Sequence, residues 1–234
     1  MTVTTIIFPE KEMMPNMIFE QFKRIGIIPL AVLYSPKDAA PLAKVLCENG
    51  LPCAEITFRT PAAEESIRII SREFPDMLVG AGTVLTTEQA DQAMNAGAKF
   101  IASPGLNPKI VQYCIDNFIP VIPGTMTPSE MEQALELGLK VVKFFPAEPA
   151  GGLAVIKAAA EVFPDLKFMP NGGINTKNVR DYLAYDKVIA CAGSWMVNKD
   201  MISAGEWDKI AALVKEAASI VSGARENISA KKGA

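Results

Sequence analysis

The stretch L-K-V-V-K-F-F-P-A-E at Leu139–Glu148 decides the fold and contains the most unusual residue of the chain. Its β-branched and aromatic residues, ended by a proline, are typical of a buried strand in a parallel sheet. Lys140 stands where this strand begins, whereas Lys143 lies inside it among valines and phenylalanines. Burial disfavours the charged form of an ammonium group, and a neutral lysine is a nucleophile toward carbonyl carbons. We therefore hypothesise that Lys143 forms a Schiff base.

This strand is one of about eight strand candidates that alternate with helices along the chain. The others are Ile27–Leu33, Cys53–Arg59, Met77–Thr83, Lys99–Ser103, Ile119–Pro123, Lys167–Asn171 and Lys187–Gly193. Strand–helix alternation indicates a parallel sheet, and eight such units in about 200–250 residues fit a closed (β/α)₈ TIM barrel. The alternative is an open doubly wound sheet, which would need a glycine-rich loop after its first strand. Residues 31–38 contain no glycine, so the barrel is favoured.

No long linker interrupts this alternation, so we expect one α/β domain over residues 1–234. An irregular segment at 1–15 and a short additional helix at Met17–Arg24 precede the first strand. The polar residues 222–234 are expected to be a frayed tail.

Composition narrows the function classes. The net charge of −3 and the pI near 5.2 argue against nucleic acid as a partner. No apolar run approaches the roughly 18 residues of a membrane span, and the N-terminus lacks the pattern of a secretory signal, so we expect a cytoplasmic protein away from the membrane. The chain has no histidine, which makes a zinc site and a histidine general base improbable. Acid–base chemistry must then fall to groups such as carboxylates and lysine.

Polar side chains alternate with apolar ones along the second predicted strand. Glu55, Thr57 and Arg59 are two residues apart, so they share one face of a regular strand, and that face must point into the barrel. If the interiors of the two strands match, Glu55 and Lys143 line the same cavity. The alternative is that these two residues form only a structural buried ion pair, and that Arg59 is a solvated loop cation.

Other strand ends also have two interpretations. Thr83 could be a helix cap, and Gly172-Gly173 could be a simple tight turn. However, glycines after the seventh strand, with Gly193-Ser194 after the eighth, match the usual phosphate site of such barrels.

Seven motifs together resemble one family, the 2-keto-3-deoxy-6-phosphogluconate (KDPG) and 4-hydroxy-2-oxoglutarate (KHG) aldolases. The resemblance extends from about Ile27 to Val221 and rests on A-E-I-T-F-R-T at Ala54–Thr60, G-A-G-T-V-L at Gly80–Leu85, I-A-S-P-G at Ile101–Gly105, I-P-G at Ile122–Gly124, K-F-F-P-A-E at Lys143–Glu148, P-N-G-G-I at Pro170–Ile174 and G-S-W at Gly193–Trp195. It implies a (β/α)₈ barrel, a homotrimer, and a class I lyase that needs no metal or other cofactor.

The resemblance also implies roles for individual residues. Lys143 matches the Schiff-base lysine and Glu55 the general acid–base carboxylate. The substrate would be a small 2-keto acid held by Arg59 and Thr83 at its carboxylate, by Pro104 and Phe145 in the pocket wall, and by Gly172, Gly173 and Ser194 at its phosphate. Asn171 is a further substrate-binding position, and it departs from the family pattern, because the asparagine amide stands where a threonine hydroxyl usually faces the active site.

The implied reaction is cleavage of a 2-keto-4-hydroxy acid to pyruvate and either glyceraldehyde 3-phosphate or glyoxylate. Two other functions remain open at this point. A phosphosugar epimerase or decarboxylase would share the barrel and phosphate site without imine chemistry. A barrel that binds keto acids without turnover would keep the cavity but not the reaction.

Overall fold

A computed structural model describes residues 9–232 of the chain, including the side chains of residues 17–224. Its strands are β1 Ile27–Ala31, β2 Cys53–Thr57, β3 Leu78–Gly82, β4 Ile101–Ala102, β5 Val121–Ile122, β6 Gly124–Thr125, β7 Val141–Phe144, β8 Lys167–Pro170 and β9 Cys191–Gly193. Its helices are α1 Pro9–Ile25, α2 Ala39–Glu48, α3 Ala63–Glu73, α4 Thr87–Asn95, α5 Pro108–Asp116, α6 Pro128–Glu136, α7 Gly152–Val162, α8 Val179–Leu183, α9 Lys199–Ser203 and α10 Trp207–Lys232. Short 3₁₀ turns lie at Pro36–Asp38 and Trp195–Val197.

The strands form two parallel sheets. Six strands pair in the order β5-β4-β3-β2-β1-β9, and three pair in the order β6-β7-β8. Isolated parallel bridges between Phe168 and Val188, and between Asn171 and Ala192, join the two sheets on one side. On the other side only Pro123 separates β5 from β6, and a proline has no N–H to donate to a ladder. The fold is therefore α/β with a parallel, curled sheet, and its ladders stop short of the continuous eight-stranded barrel that was predicted.

Two apolar layers follow from the alternation of the strands. Residues of one face pack against the helices, as Ile56 and Val142 do. Residues of the other face meet one another inside the curl of the sheet, and this inner cluster comprises Ile28, Cys53, Leu78, Phe100, Ile122, Val141, Met169, Ile189, Ala190 and Ala192, with Ile18 and Phe22 of α1. The ring of Phe22 stands edge-on to Phe100, with 4.8 Å between the ring centroids. Helix α1 therefore closes the end of the curl where the strands begin.

The ends of the chain differ from the prediction where the structure describes them. The first helix starts at Pro9 rather than near Met17, so residues 9–15 are helical rather than irregular. A proline is favourable in the first helical position, and strong helix formers follow it. The last helix continues to Lys232 through the predicted frayed tail, because alanine, arginine, glutamate and lysine propagate a helix. The predictions for residues 1–8 and 233–234 lie outside the described residues.

Two local differences concern the last strand and the helix after it. The predicted strand Lys187–Gly193 is reduced to β9, because a turn with a hydrogen bond from the Val188 N–H to the Tyr185 carbonyl occupies its first part. Helix α9 was not predicted, and Asn198 caps it by accepting a hydrogen bond from the Asp200 N–H at 2.8 Å. No helix in the described part of the chain has the length and apolar character to cross a bilayer.

Candidate active site

Strands β2 and β7 bring Glu55 and Lys143 together inside the curl of the sheet. Cys53 and Val141 belong to the inner cluster, and Glu55 and Lys143 follow them two residues later on the same faces. The side chains of Glu55 and Lys143 therefore lie next to the inner apolar cluster, on the side toward the carboxyl ends of the strands. The alternation of the sequence predicted this shared position.

The contact between these two side chains is close and almost fully buried. Lys143 Nζ lies 3.1 Å from Glu55 Oε1 and 3.2 Å from Oε2, and it donates to both oxygens. The exposed fraction is 5% for the Lys143 side chain and 0% for that of Glu55. Each group supplies the partner that a buried charge needs. The separation is also within the hydrogen-bond distance that direct proton transfer between two groups requires.

The position of the Glu55 carboxylate depends on a glycine in the neighbouring strand. Glu55 pairs in register with Gly80, and Thr57 pairs with Gly82. A Cβ atom on Gly82 would overlap the Glu55 carboxylate, so this side chain leans along the sheet toward the strand ends. The missing side chain at Gly82 thus provides the space in which the carboxylate meets Lys143.

Glu55 and Lys143 lie in the wall of a cavity of about 240 Å³. All ten residues that the sequence analysis assigned to the site line this cavity: Glu55, Arg59, Thr83, Pro104, Lys143, Phe145, Asn171, Gly172, Gly173 and Ser194. Leu30, Ile174 and Gly193 also line it, although the sequence analysis gave none of them a role of its own and named Gly193 only beside Ser194. Leu30 could have been found, because it lies two residues after Ile28 of the inner cluster, on the same face of β1.

Arg59 and Thr83 are positioned by the turns that follow β2 and β3. Arg59 lies two residues beyond the end of β2 and is exposed. Thr83 has a φ of +53°, an uncommon backbone conformation for a β-branched residue, of the kind that clusters at functional sites. The helix-cap interpretation of Thr83 is wrong, because Thr86 caps α4 by accepting from the Gln89 N–H at 3.1 Å.

The turn after β8 approaches the segment after β7 closely. Gly172 and Gly173 have φ values of +102° and +82°, which favour glycine. A Cβ atom on Gly172 would lie 3.1 Å from Pro146 Cα and 3.2 Å from Ala147 N. Backbone conformation and close packing therefore both require glycine at position 172. Asn171, immediately before this turn, is 6% exposed and lines the cavity.

The metal-binding residue types are dispersed in the described part of the chain. Within it, cysteine, aspartate and glutamate side chains form no group of three or more that could hold a metal ion.

Comparisons with known proteins agree with this geometry. A family model described as KDPG and KHG aldolase matches residues 18–213. A 2-dehydro-3-deoxy-phosphogluconate aldolase of Treponema pallidum (strain Nichols) is 47% identical over 204 residues, which are 87% of this chain and 97% of that protein. The KHG/KDPG aldolase of Escherichia coli (strain K12) is 42% identical over 191 residues, which are 82% of this chain and 90% of that protein.

A solved structure is also similar over most of the chain. It is a crystal structure of KDPG aldolase from Legionella pneumophila with pyruvate captured at low pH as a covalent carbinolamine intermediate. Its TM-score is 0.81 and its sequence identity 39%, and the match covers 86% of this chain and 96% of that one. The family match over residues 18–213 and the identities above 40% show that this chain belongs to the KDPG and KHG aldolase family.

Proposed function

We propose that the protein is a class I aldolase, which cleaves a 2-keto-4-hydroxy acid through a Schiff base on Lys143. The observation that carries the proposal is the buried contact between Lys143 and Glu55 in the wall of the cavity. The family relationship supports it, since the relatives are named aldolases and the Legionella pneumophila structure holds pyruvate as a covalent carbinolamine. A purely structural ion pair would explain neither the position of the contact in the wall of a cavity nor the similarity to aldolases.

The first half of the reaction forms the imine. Transfer of a proton from Lys143 to Glu55 leaves a neutral amine, whose lone pair attacks the C2 ketone of the substrate. The resulting carbinolamine loses its hydroxyl as water when Glu55 returns the proton. The product is an iminium ion that joins Lys143 Nζ to C2, and the Glu55 carboxylate is then ready to act as a base.

The second half breaks the carbon–carbon bond. Glu55 takes the proton of the C4 hydroxyl, the C3–C4 bond breaks, and its electron pair moves toward the iminium nitrogen to give an enamine. The aldehyde leaves. Protonation of the enamine at C3 and hydrolysis of the imine release pyruvate and restore the Lys143 amine.

The substrates follow from the groups around the pair. A guanidinium such as that of Arg59 can bind both oxygens of the keto acid's carboxylate, with Thr83 beside it. Pro104 and Phe145 contribute the wall of the pocket. The turn Gly172-Gly173, with Ser194, suits a phosphate group. We assign KDPG, cleaved to pyruvate and glyceraldehyde 3-phosphate, and 4-hydroxy-2-oxoglutarate, cleaved to pyruvate and glyoxylate, as the substrates; the former is the reaction of the Entner–Doudoroff pathway.

We also propose that the two sheets together form a closed (β/α)₈ barrel, with α1 as an additional helix. Three observations support closure: the bridges Phe168–Val188 and Asn171–Ala192, the interruption between β5 and β6 by the single residue Pro123, and one inner cluster shared by the strands of both sheets. In such a barrel the catalytic residues lie at the carboxyl ends of the strands, which is where the cavity lies.

We also propose a homotrimer in the cytoplasm. An apolar groove between α6 and α7 leaves Met126 45%, Val155 36% and Val162 69% exposed, which is typical of a surface covered by another subunit. Sedimentation should give a mass three times the chain mass of 25.2 kDa. Val162→Glu should lower this measured mass, and a wild-type monomer would contradict the trimer.

The proposed cytoplasmic location is supported by the cysteines. All four are free, as expected in a reducing compartment.

A coupled assay for pyruvate release tests the function. The wild-type protein should release pyruvate from KDPG, from 4-hydroxy-2-oxoglutarate or from both, and Lys143→Met should release none. The exposed Lys140 is the matched control, and Lys140→Met should retain activity. Absence of pyruvate from both substrates with folded wild-type protein would refute the proposal, as would full activity of Lys143→Met.

A further inference from the structure

Glu148 supports the Gly172-Gly173 turn from the side away from the cavity. The Glu148 N–H donates to the Gly172 carbonyl at 2.9 Å, and the preceding Ala147 N–H donates to the Asn171 carbonyl at 2.7 Å. A Cβ atom on Gly173 would lie 2.6 Å from Cβ and 2.7 Å from Cγ of Glu148. The backbone and the side chain of Glu148 are therefore both packed against the turn.

The Glu148 side chain is itself held in place by Tyr182 of α8. Its hydroxyl donates a hydrogen bond to Glu148 Oε1. Tyr182 is 1% exposed and belongs to the core between the sheet and the helices. Burial, followed by the hydrogen bond and the charge of Glu148, raises the pKa of Tyr182, so the hydroxyl remains a donor. The turn is thereby connected through one flexible side chain to a rigid part of the core.

Two asparagines fix the turn from its other end. The side-chain amides of Asn175 and Asn178 both donate to the Gly173 carbonyl at 3.0 Å. The carbonyls of Gly172 and Gly173 are thus both occupied. Among residues 9–232, no backbone acceptor is found for the N–H groups of Gly172 and Gly173. Successive N–H groups in such a turn form a concavity that suits an anion.

We propose that Tyr182 and Glu148 are positioning residues that set the preference of this protein for phosphorylated over unphosphorylated substrates. They hold the Gly172-Gly173 turn in the conformation that presents its N–H groups to a phosphate. The inference rests on the proposed aldolase function and on the phosphate site assigned to this turn. Tyr182 and Glu148 are absent from the cavity lining, so they act on the substrate through the turn.

The test compares the catalytic efficiency, kcat/KM, for KDPG with that for 4-hydroxy-2-oxoglutarate, which carries no phosphate. The informative quantity is the ratio of the two efficiencies. Tyr182→Phe removes the hydrogen bond to Glu148, and Glu148→Ala removes the side chain beyond Cβ while it keeps the backbone hydrogen bond to Gly172. Each should lower the ratio roughly five- to tenfold, the effect of losing about one hydrogen bond, through a higher KM for KDPG.

Two further variants separate positioning from a general effect. Glu148→Gln keeps the length of the side chain and a carbonyl acceptor for Tyr182, so it should keep the ratio at or above the wild-type value. Tyr113→Phe is the matched control, since the Tyr113 hydroxyl donates to Asp91 at 2.5 Å between α5 and α4, and it should leave the ratio unchanged.

The outcomes are distinguishable from those that test the function itself. A wild-type protein that releases no pyruvate from either substrate would refute the aldolase assignment. An active wild type whose ratio is unchanged in Tyr182→Phe and Glu148→Ala would overturn the positioning role alone. Equal losses on both substrates in folded variants, checked by circular dichroism, would also overturn it.

Discussion

Replacing Lys143 by methionine should destabilise the fold as well as abolish catalysis. The substitution leaves the Glu55 carboxylate, which is 0% exposed, without its partner at 3.1 Å. With an effective dielectric constant of about 20, the lost attraction at this distance is about 5 kcal/mol. Removing one partner of a buried pair typically costs about 3–5 kcal/mol. We expect a loss in this range, which lowers the melting temperature of a chain of this size by roughly 6–20 °C.

A double-mutant cycle isolates this interaction. Urea unfolding is followed by tryptophan fluorescence in the wild type, Lys143→Met, Glu55→Gln and the double variant. The double variant, which removes both charges, should be more stable than the sum of the two single losses predicts. Lys140→Met is the control, because the exposed Lys140 should change stability by at most about 0.5 kcal/mol.

Two results would refute the reasoning on the ion pair. One is a Lys143→Met variant with wild-type stability, which would mean that the carboxylate is solvated or finds another partner. The other is strict additivity of the two single substitutions, which would mean that Glu55 and Lys143 do not interact in the folded protein.

Three further predictions concern other parts of the structure. Gly82→Ala should displace the Glu55 carboxylate and thereby lower kcat/KM by about a hundredfold. Gly223→Ala is the control, because a Cβ atom there meets only ordinary contacts, and it should keep the wild-type kcat/KM. Equal kcat/KM values for the two variants would contradict this prediction. Phe22→Ala should cost about 3–5 kcal/mol in urea unfolding, and a loss below about 1 kcal/mol would contradict its role in closing the inner cluster. Burial, and then the charge of a nearby aspartate, raises the pKa of Cys114 to about 12. Because an unfolded thiol ionises near pH 8.5, the unfolded chain loses this proton first, and the free energy of unfolding should fall as the pH rises from about 8.5 to 12. Cys114→Ala should reduce this slope, and an unchanged slope would contradict the prediction.

The strands could be predicted because apolar runs alternate regularly with helical segments. Each of the eight predicted strands contains an observed one, including β7 around Lys143. Their lengths could not be predicted, since pairing depends on the neighbouring strand. The run Ile119–Pro123 illustrates this, because only Val121 and Ile122 form β5 and a separate strand begins after Pro123.

The site could be predicted where it follows from periodicity. Glu55 and Lys143 were expected on inward faces because each stands at a two-residue spacing in a strand. The contribution of Gly82 could not be predicted, because it depends on the side chain of a different strand. The same holds for Tyr182 and Glu148, which are 34 residues apart in sequence and carry no shared pattern.

Covalent trapping is the most direct test of the central claim. The protein is incubated with pyruvate, reduced with borohydride, digested and analysed by mass spectrometry. Our account predicts one pyruvate-derived adduct on Lys143 and no adduct on Lys140, with labelling abolished in Lys143→Met and retained in Lys140→Met. An unmodified Lys143, together with activity that survives Lys143→Met, would contradict the account.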